Sequence, residues 1–198
     1  MTLELSTQAI GIISLTYFLG AIPFGLLFAR WITGKDPREH GSGNIGATNA
    51  MRTGGKKVGA LTLIADIFKG VLPVWLAIFL VFNQLEIALT ALAAFLGHIF
   101  PIYLKFKGGK GVATMFGVLI PWAPYVAILS FAIWFISFKL KRYVSLSSIL
   151  AGVALPLLAW LTHTSLEALV TCIILGSLMT IRHQSNIKRL IEGTESKS

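Results

Sequence analysis

Cysteine is almost missing from this 198-residue sequence. The single thiol, Cys172, lies inside an apolar run, can build neither a disulfide framework nor a thiolate metal cluster, and reads as inert packing. Acids are scarce as well, eight Asp and Glu against 17 Lys and Arg, which leaves a net charge of +9 at pH 7. Only 13% of residues are charged while 55% are hydrophobic, and the mean hydropathy is +0.78. That is more apolar surface than a soluble domain of this length can bury, so the surplus has to face lipid. His, Asp and Glu do not cluster with ligand spacing, and neither a metal nor another cofactor is expected. No soluble domain, low-complexity tract or convincing repeat interrupts the chain, which reads as one transmembrane domain over residues 1–198. The positive excess points to anionic partners, either lipid head groups or a negatively charged substrate, and nucleic acid is not expected.

Residues Met1 to Ile10 hold no basic residue and one acid, Glu4. The positive start of a secretory leader is therefore lacking, and the apolar run that follows reads as a retained first span. About 20 apolar residues cross a bilayer, a length approached or exceeded by Gln8–Trp31, Val58–Val81 and Ile87–Leu104. The stretch Val112–Phe138 contains Pro121-Trp122-Ala123-Pro124, a strong punctuation that splits it in two. With Leu146–Trp160 and Leu166–Ile181 as the last spans, the expectation is an all-α membrane protein with seven transmembrane helices, N-terminus outside and C-terminus cytoplasmic. Sixteen of the 17 Lys and Arg then fall on the cytoplasmic side, the exception being Lys69 within the second span. An unsplit helix would put Lys139, Lys141 and Arg142 outside. The fourth span, Val112–Ile120, offers nine apolar residues, roughly 13 Å of helix. That is too short to cross, so Gly108–Gly111 is expected below the membrane surface. Glu192–Ser198 reads as a short polar tail.

Three inside segments carry residues suited to chemistry. Gly41 to Asn49 is too rich in glycine and small polar residues to be helical, and its exposed backbone N–H groups suit an anion. Gly43, Ser42, Asn44, Thr48 and Asn49 supply further polar groups, with Arg52, Lys56 and Lys57 adding charge. The competing structural role is a solvated connector with capping residues. In the second segment, Lys105-Phe106-Lys107-Gly108-Gly109-Lys110-Gly111-Val112-Ala113-Thr114 runs into a helix, whose N-terminus suits phosphate with Lys110 as counter-charge. The Walker A pattern is not satisfied and nucleotide hydrolysis is not expected. His98 either bonds a neighbouring helix or acts directly, and Asp66 and Lys69, three apart, are expected to pair. The third segment, Arg182 to Leu190, places His183 and Asn186 on one helical face, suited to a polar ligand or to an amphipathic C-terminus. Ser145, Ser147 and Ser148 open the sixth span as caps, with Ser148 alternatively facing the same cavity.

Taken together and in order, Gly41 to Asn49, Gly97-His98 through Thr114, and His183 to Leu190 with Gly193 and Glu195 resemble the bacterial acyl-phosphate-dependent glycerol-3-phosphate acyltransferases. The resemblance covers essentially the whole chain. It implies a multi-pass protein of the bacterial cytoplasmic (inner) membrane with its active site on the cytoplasmic side. The implied reaction moves a fatty acyl group from acyl phosphate to the 1-hydroxyl of glycerol 3-phosphate, giving 1-acylglycerol 3-phosphate (lysophosphatidic acid) and inorganic phosphate, an early step of phospholipid biosynthesis. It also implies partnership with a soluble acyltransferase that makes acyl phosphate. In this picture Ser42, Arg52, Lys110 and His183 are the catalytic group. Gly43, Asn44, Thr48, Asn49, Lys56, Gly108, Gly109, Gly111, Thr114, Ser148 and Asn186 bind substrate.

None of His40, His98, His163 or His183 has an Asp five residues on, which disfavours the His-x-x-x-x-Asp chemistry of thioester-dependent acyltransferases. The alternative to an enzyme is a transporter of a phosphorylated metabolite. It predicts polar groups on both faces, whereas the outside connections at Asn83–Glu86, Pro121–Pro124 and Thr162–Ser165 hold no Lys or Arg.

Overall fold

The protein is described by a computed structural model covering residues 5–197; Glu4 with residues 1–3, and Ser198 of the expected tail, lie outside the described residues. The described residues form nine α-helices and no strand. These are α1 (Thr7–Ala21), α2 (Phe24–Thr33), α3 (Ala47–Phe79), α4 (Gln84–Ile99), α5 (Val112–Trp122), α6 (Pro124–Lys141), α7 (Val144–Leu161), α8 (Leu166–Arg182) and α9 (Gln184–Ile191), with a 3-10 turn at Ile102–Leu104. Five stretches are long and apolar enough to cross a membrane: Thr7–Thr33, Ala47–Phe79, Gln84–Leu104, Pro124–Lys141 and Val144–Leu161. The pair α8 and α9, bent by 57°, makes a sixth if taken as one span, and α5 has only 11 residues. Leu15, Trp75, Phe79, Leu140 and Trp160 are exposed, as side chains that meet lipid must be. The chain divides into two compact units, Met1–Val118 and Leu119–Ser198.

Within the first unit the expected unbroken span Gln8–Trp31 is interrupted at Ile22-Pro23, because proline lacks the N–H that would continue the helix. At the break the Ile22 carbonyl leaves the helical ladder and accepts from Phe24 N–H at 3.1 Å, and irregular backbone at membrane depth must be satisfied within the protein. Lys69 of α3 is its second donor, through Nζ at 3.1 Å. Lys69 thus ties α3 to the kink in the first span.

The second span starts eleven residues before the expected Val58, since α3 begins at Ala47. Ala47 to Asn49 are therefore its first turn and not the end of a glycine loop, with Asn49 N–H and Ala50 N–H both donating to the Gly46 carbonyl. Burial of Ala50 with Ala29 of α2 and Val58 outweighs the local composition. Gly55, at φ 87°, kinks α3 in a backbone conformation that favours glycine. Helices elsewhere in the unit meet through small residues: Gly20 lies on the Ala94 backbone between α1 and α4, and Gly70 and Gly117 cross between α3 and α5.

The second unit holds the expected break at Pro121–Pro124: α5 ends at Trp122, Ala123 leaves the helix and Pro124 opens α6. Helices α7 and α8 cover the expected last spans and approach closely where Gly152 meets Gly176. Ser145, Ser147 and Ser148 do not cap α7. Its N-cap is Tyr143, and the Ser147 and Ser148 hydroxyls donate to carbonyls four residues back, at 2.9 and 2.8 Å.

Candidate active site

The segment between α2 and α3 is organised by two buried polar side chains. Asp36 accepts from Arg30 Nη2 and Arg38 Nη2, each at 2.7 Å, and from the Arg38 backbone N–H at 2.9 Å. The Arg38 side-chain hydrogen bond, with backbone and Arg30 bonds adding to it against the effect of burial, holds the Asp36 carboxyl well below the usual carboxylate range. Asn49, 3% exposed, is the second centre. Its Nδ2 lies within hydrogen-bond distance of the carbonyls of Pro37 (2.7 Å), His40 (3.0 Å) and Asn44 (2.8 Å), and its Oδ1 accepts from Ser42 N–H at 2.9 Å. Asn49, expected on substrate, thus holds the loop. Gly41 sits against Asn49 Oδ1 at φ 58°, leaving no room for a Cβ. Asn44 Oδ1 accepts from Gly46 N–H at 2.8 Å, which fixes the final turn before α3. Ser42 and Gly43 are exposed on this frame, and Thr48 is half-buried. Arg52 and Lys56, both exposed, stand on either side of the Gly55 kink.

The second expected loop is shaped by its own unit's helices. A Cβ on Gly108 would collide with the His98 carbonyl, on Gly109 with His98 Nε2, and on Gly111, at φ 85°, with the Phe95 ring. The close approach that these glycines permit is therefore to α4. Gly109 N–H donates to the His98 carbonyl at 3.1 Å. Thr114, expected on substrate, is fully buried, and its hydroxyl donates to the Asp66 carbonyl of α3 at 3.1 Å. Lys69 Nζ lies 2.8 Å from Asp66 Oδ1, and His98 Nδ1 lies 3.7 Å from the same oxygen, all three side chains being at most 4% exposed. The expected Asp66–Lys69 pair is present, and His98 joins it from α4. Lys110 is half-buried and precedes Gly111 and α5, while Lys105 and Lys107 are exposed.

The second unit gathers the third segment around Glu195. Glu195 Oε1 accepts from Ser145 Oγ and Asn186 Nδ2, both at 2.7 Å, and Oε2 accepts from Arg189 Nε at 2.6 Å. Residues 192–197 are thus not simply a solvated tail: Gly193, at φ 70°, turns the chain, and Thr194 N–H and Glu195 N–H return to the Arg189 carbonyl. Asn186 is 4% exposed and its amide serves this clamp. Ser148 accepts from Trp134 Nε1 at 3.2 Å, tying α7 to α6. His183, 2% exposed, closes α8, its Nδ1 lying 2.8 Å from the Met179 carbonyl. A carbonyl only accepts, so Nδ1 carries a hydrogen and a neutral ring keeps its lone pair on Nε2.

Burial raises the Glu195 carboxyl, but the bonds from Ser145, Asn186 and Arg189 outweigh it and leave the group below the usual glutamate value. A depressed folded-state value gives stability that is complete above the unfolded value and lost as pH falls through the folded one. Amide exchange at Thr194 and Glu195, taken relative to its intrinsic rate at each pH, should therefore accelerate on acidification. In Glu195→Gln it should already be fast at neutral pH and show little further change.

The signals for Asp36 and Glu195 were present in the sequence, each a rare acid among basic residues. Arg30 and Arg38 lie near Asp36 in the chain, whereas Ser145 lies 50 residues from Glu195 and could not be read as its partner.

Residues 10–193 match the glycerol-3-phosphate acyltransferase family. A protein of Trichlorobacter lovleyi named glycerol-3-phosphate acyltransferase is 47% identical over 181 residues, 91% of this chain and 93% of that one. One of the same name from Bartonella quintana is 46% identical over 186 residues, covering 92% and 88%. Among solved structures, PlsY (YgiH), an integral membrane glycerol 3-phosphate acyltransferase, in its glycerol 3-phosphate form superposes with a TM-score of 0.92 at 40% identity, over 96% of both chains. Its lysophosphatidic acid form gives 0.88 at 39% identity, over 96% of this chain and 95% of that one.

Proposed function

The chain belongs to the glycerol-3-phosphate acyltransferase family, and on that premise we propose that it acylates the 1-hydroxyl of glycerol 3-phosphate with acyl phosphate as donor. The products are 1-acylglycerol 3-phosphate and inorganic phosphate. The observation that carries the acceptor and product is the likeness, at about 40% identity over nearly the whole chain, to a structure described in both a glycerol 3-phosphate form and a lysophosphatidic acid form. Acyl phosphate as donor is supported by the absence of a His-x-x-x-x-Asp pair, because a mixed anhydride is already activated and needs no strong base.

In the reaction the acceptor hydroxyl oxygen bonds to the acyl carbon, the bond from that carbon to the phosphate oxygen breaks, and the hydroxyl proton leaves with the phosphate. Positioning supplies much of the rate, since effective molarities reach about 10⁵ M or more. Lys110, Ser42 and Arg52 hold the glycerol phosphate, and Gly43, Asn44, Thr48 and neighbouring N–H groups serve the donor, with Lys56 adding charge. His183 and Asn186 serve as further polar groups for the reaction, the Nε2 lone pair of His183 suiting a hydrogen bond or a proton. The packing of Gly108, Gly109, Gly111 and Thr114 fixes the loop that carries Lys110. The proposed topology is seven spans, with α5 as a short fourth one, N-terminus outside and C-terminus in the cytoplasm of a bacterial inner membrane. It rests on the placement of basic residues at the ends of the helices. A soluble acyl-phosphate-forming enzyme supplies the donor.

The test is release of inorganic phosphate by the purified protein in lipid nanodiscs, given palmitoyl phosphate and glycerol 3-phosphate. Release should require both substrates and yield lysophosphatidic acid in equal amount. Folded protein that takes the acyl group from a coenzyme A thioester but not from acyl phosphate would overturn the donor, and failure with either donor would overturn the activity.

A further inference from the structure

Three ionisable side chains lie almost fully buried in the first unit, on segments that flank the Lys110 loop. A cluster of this kind is costly to place in a membrane protein and calls for a reason. Asp66 and Lys69 sit one turn apart on α3, and Lys69 reaches the Ile22 carbonyl, so both are tied to the kink between α1 and α2. His98 ends α4, with Nδ1 toward the Asp66 carboxylate and the opposite edge of the ring, Nε2, against the Cα of Gly109. The backbone of the same residue accepts from Gly109 N–H. Thr114, three residues past Gly111, bonds the Asp66 carbonyl. The loop from Gly108 to Gly111 is therefore held at both ends by groups that converge on Asp66, and the imidazole is the solid body between that carboxylate and Gly109.

We propose that His98, braced by the buried Asp66–Lys69 pair, is a positioning residue for the Gly108–Lys110 loop and sets the affinity for the phosphorylated acceptor. The inference rests on the acyl-transfer reading above. His98 does not touch substrate in this scheme; the ring limits how far Gly109 can move, and so where Lys110 stands. A loop displaced by a fraction of an ångström weakens an anion site without disturbing the rest of the fold.

The test is a kinetic cycle in nanodiscs with His98→Ala, Gly109→Ala and the double variant, following phosphate release from palmitoyl phosphate. Each single substitution should raise KM for glycerol 3-phosphate by about tenfold, short of the ~10²-fold that a 1 Å misplacement can cost, while KM for palmitoyl phosphate stays within about twofold. The methyl group on residue 109 collides with an imidazole that the double variant no longer has. Its KM should therefore be no worse than that of His98→Ala alone, a non-additive result that general destabilisation does not give. His98→Gln, whose amide extends toward the Nε2 position against Gly109, should recover part of the loss, and serves if the alanine variant does not fold. Equal losses in both KM values, additive losses in the cycle, or an unchanged acceptor KM would each overturn the proposal. Wild-type protein that shows no turnover dependent on glycerol 3-phosphate would instead remove the acyl-transfer reading, and the inference with it.

Discussion

Lys110→Ala should lower kcat/KM for glycerol 3-phosphate by about 10²-fold or more, the order lost when one preorganised donor to a developing or bound oxyanion is removed. Lys110 is half-buried and stands at the entry to α5, where, on the proposed reading, backbone N–H groups and its ammonium address the same anion. An exposed lysine supplies only screened charge, so Lys105→Ala and Lys107→Ala should change the same quantity by about twofold at most in physiological salt. Lys110→Arg keeps the charge but carries a planar fork on a longer stem, and should recover only part of the activity. Phosphate release at several acceptor concentrations, on protein shown to be folded, separates these cases. An alanine variant with wild-type kcat/KM would remove Lys110 from the site.

The second large effect is on stability. Asp66→Ala removes the carboxylate that Lys69 pairs with at 2.8 Å while leaving the ammonium 2% exposed. Breaking a buried pair from one side typically costs about 3–5 kcal/mol, because the remaining charge is uncompensated. The Ile22 carbonyl and the Phe24 ring, whose centroid lies 5.7 Å from Nζ, remain as weaker partners and should temper that loss. The thermal midpoint in detergent should fall by several degrees or more in Asp66→Ala. It should fall much less in Asp66→Leu combined with Lys69→Met, where no charge is left stranded. A double variant as unstable as the single one would mean that the pair serves packing or hydrogen bonding more than charge balance.

Lys69 also marks where reading the sequence stopped. Its position in an apolar run identified it as the exception to a one-sided distribution of charge, and its spacing from Asp66 identified a pair. Its contact with Ile22 spans 47 residues and depends on a helix break that one proline among apolar neighbours signals only weakly. The glycines of residues 108–111 were legible as a place of close approach. What they approach was not, since nothing local states that α4 presents the imidazole of His98 and the ring of Phe95 there. Asn49 and Thr114 were legible as polar groups beside glycine-rich segments, and the structure commits both to holding backbone.

The sequence by itself determined the membrane class, the paucity of acids to balance 17 cations, the break at Pro121–Pro124 and the three segments that match the family. Those properties follow from composition and from runs of roughly 20 apolar residues, which act over a few helical turns and need no partner. Only the tertiary structure decided which polar groups are spent inside the fold: Asp36 on two arginines, Asn49 on three carbonyls, His98 on α3 and the Gly109 loop, and Glu195 on Ser145 and Asn186. A buried polar group must find a partner wherever the fold offers one, whether a few residues away, as for Asp36, or 50 residues away, as for Glu195 and Ser145.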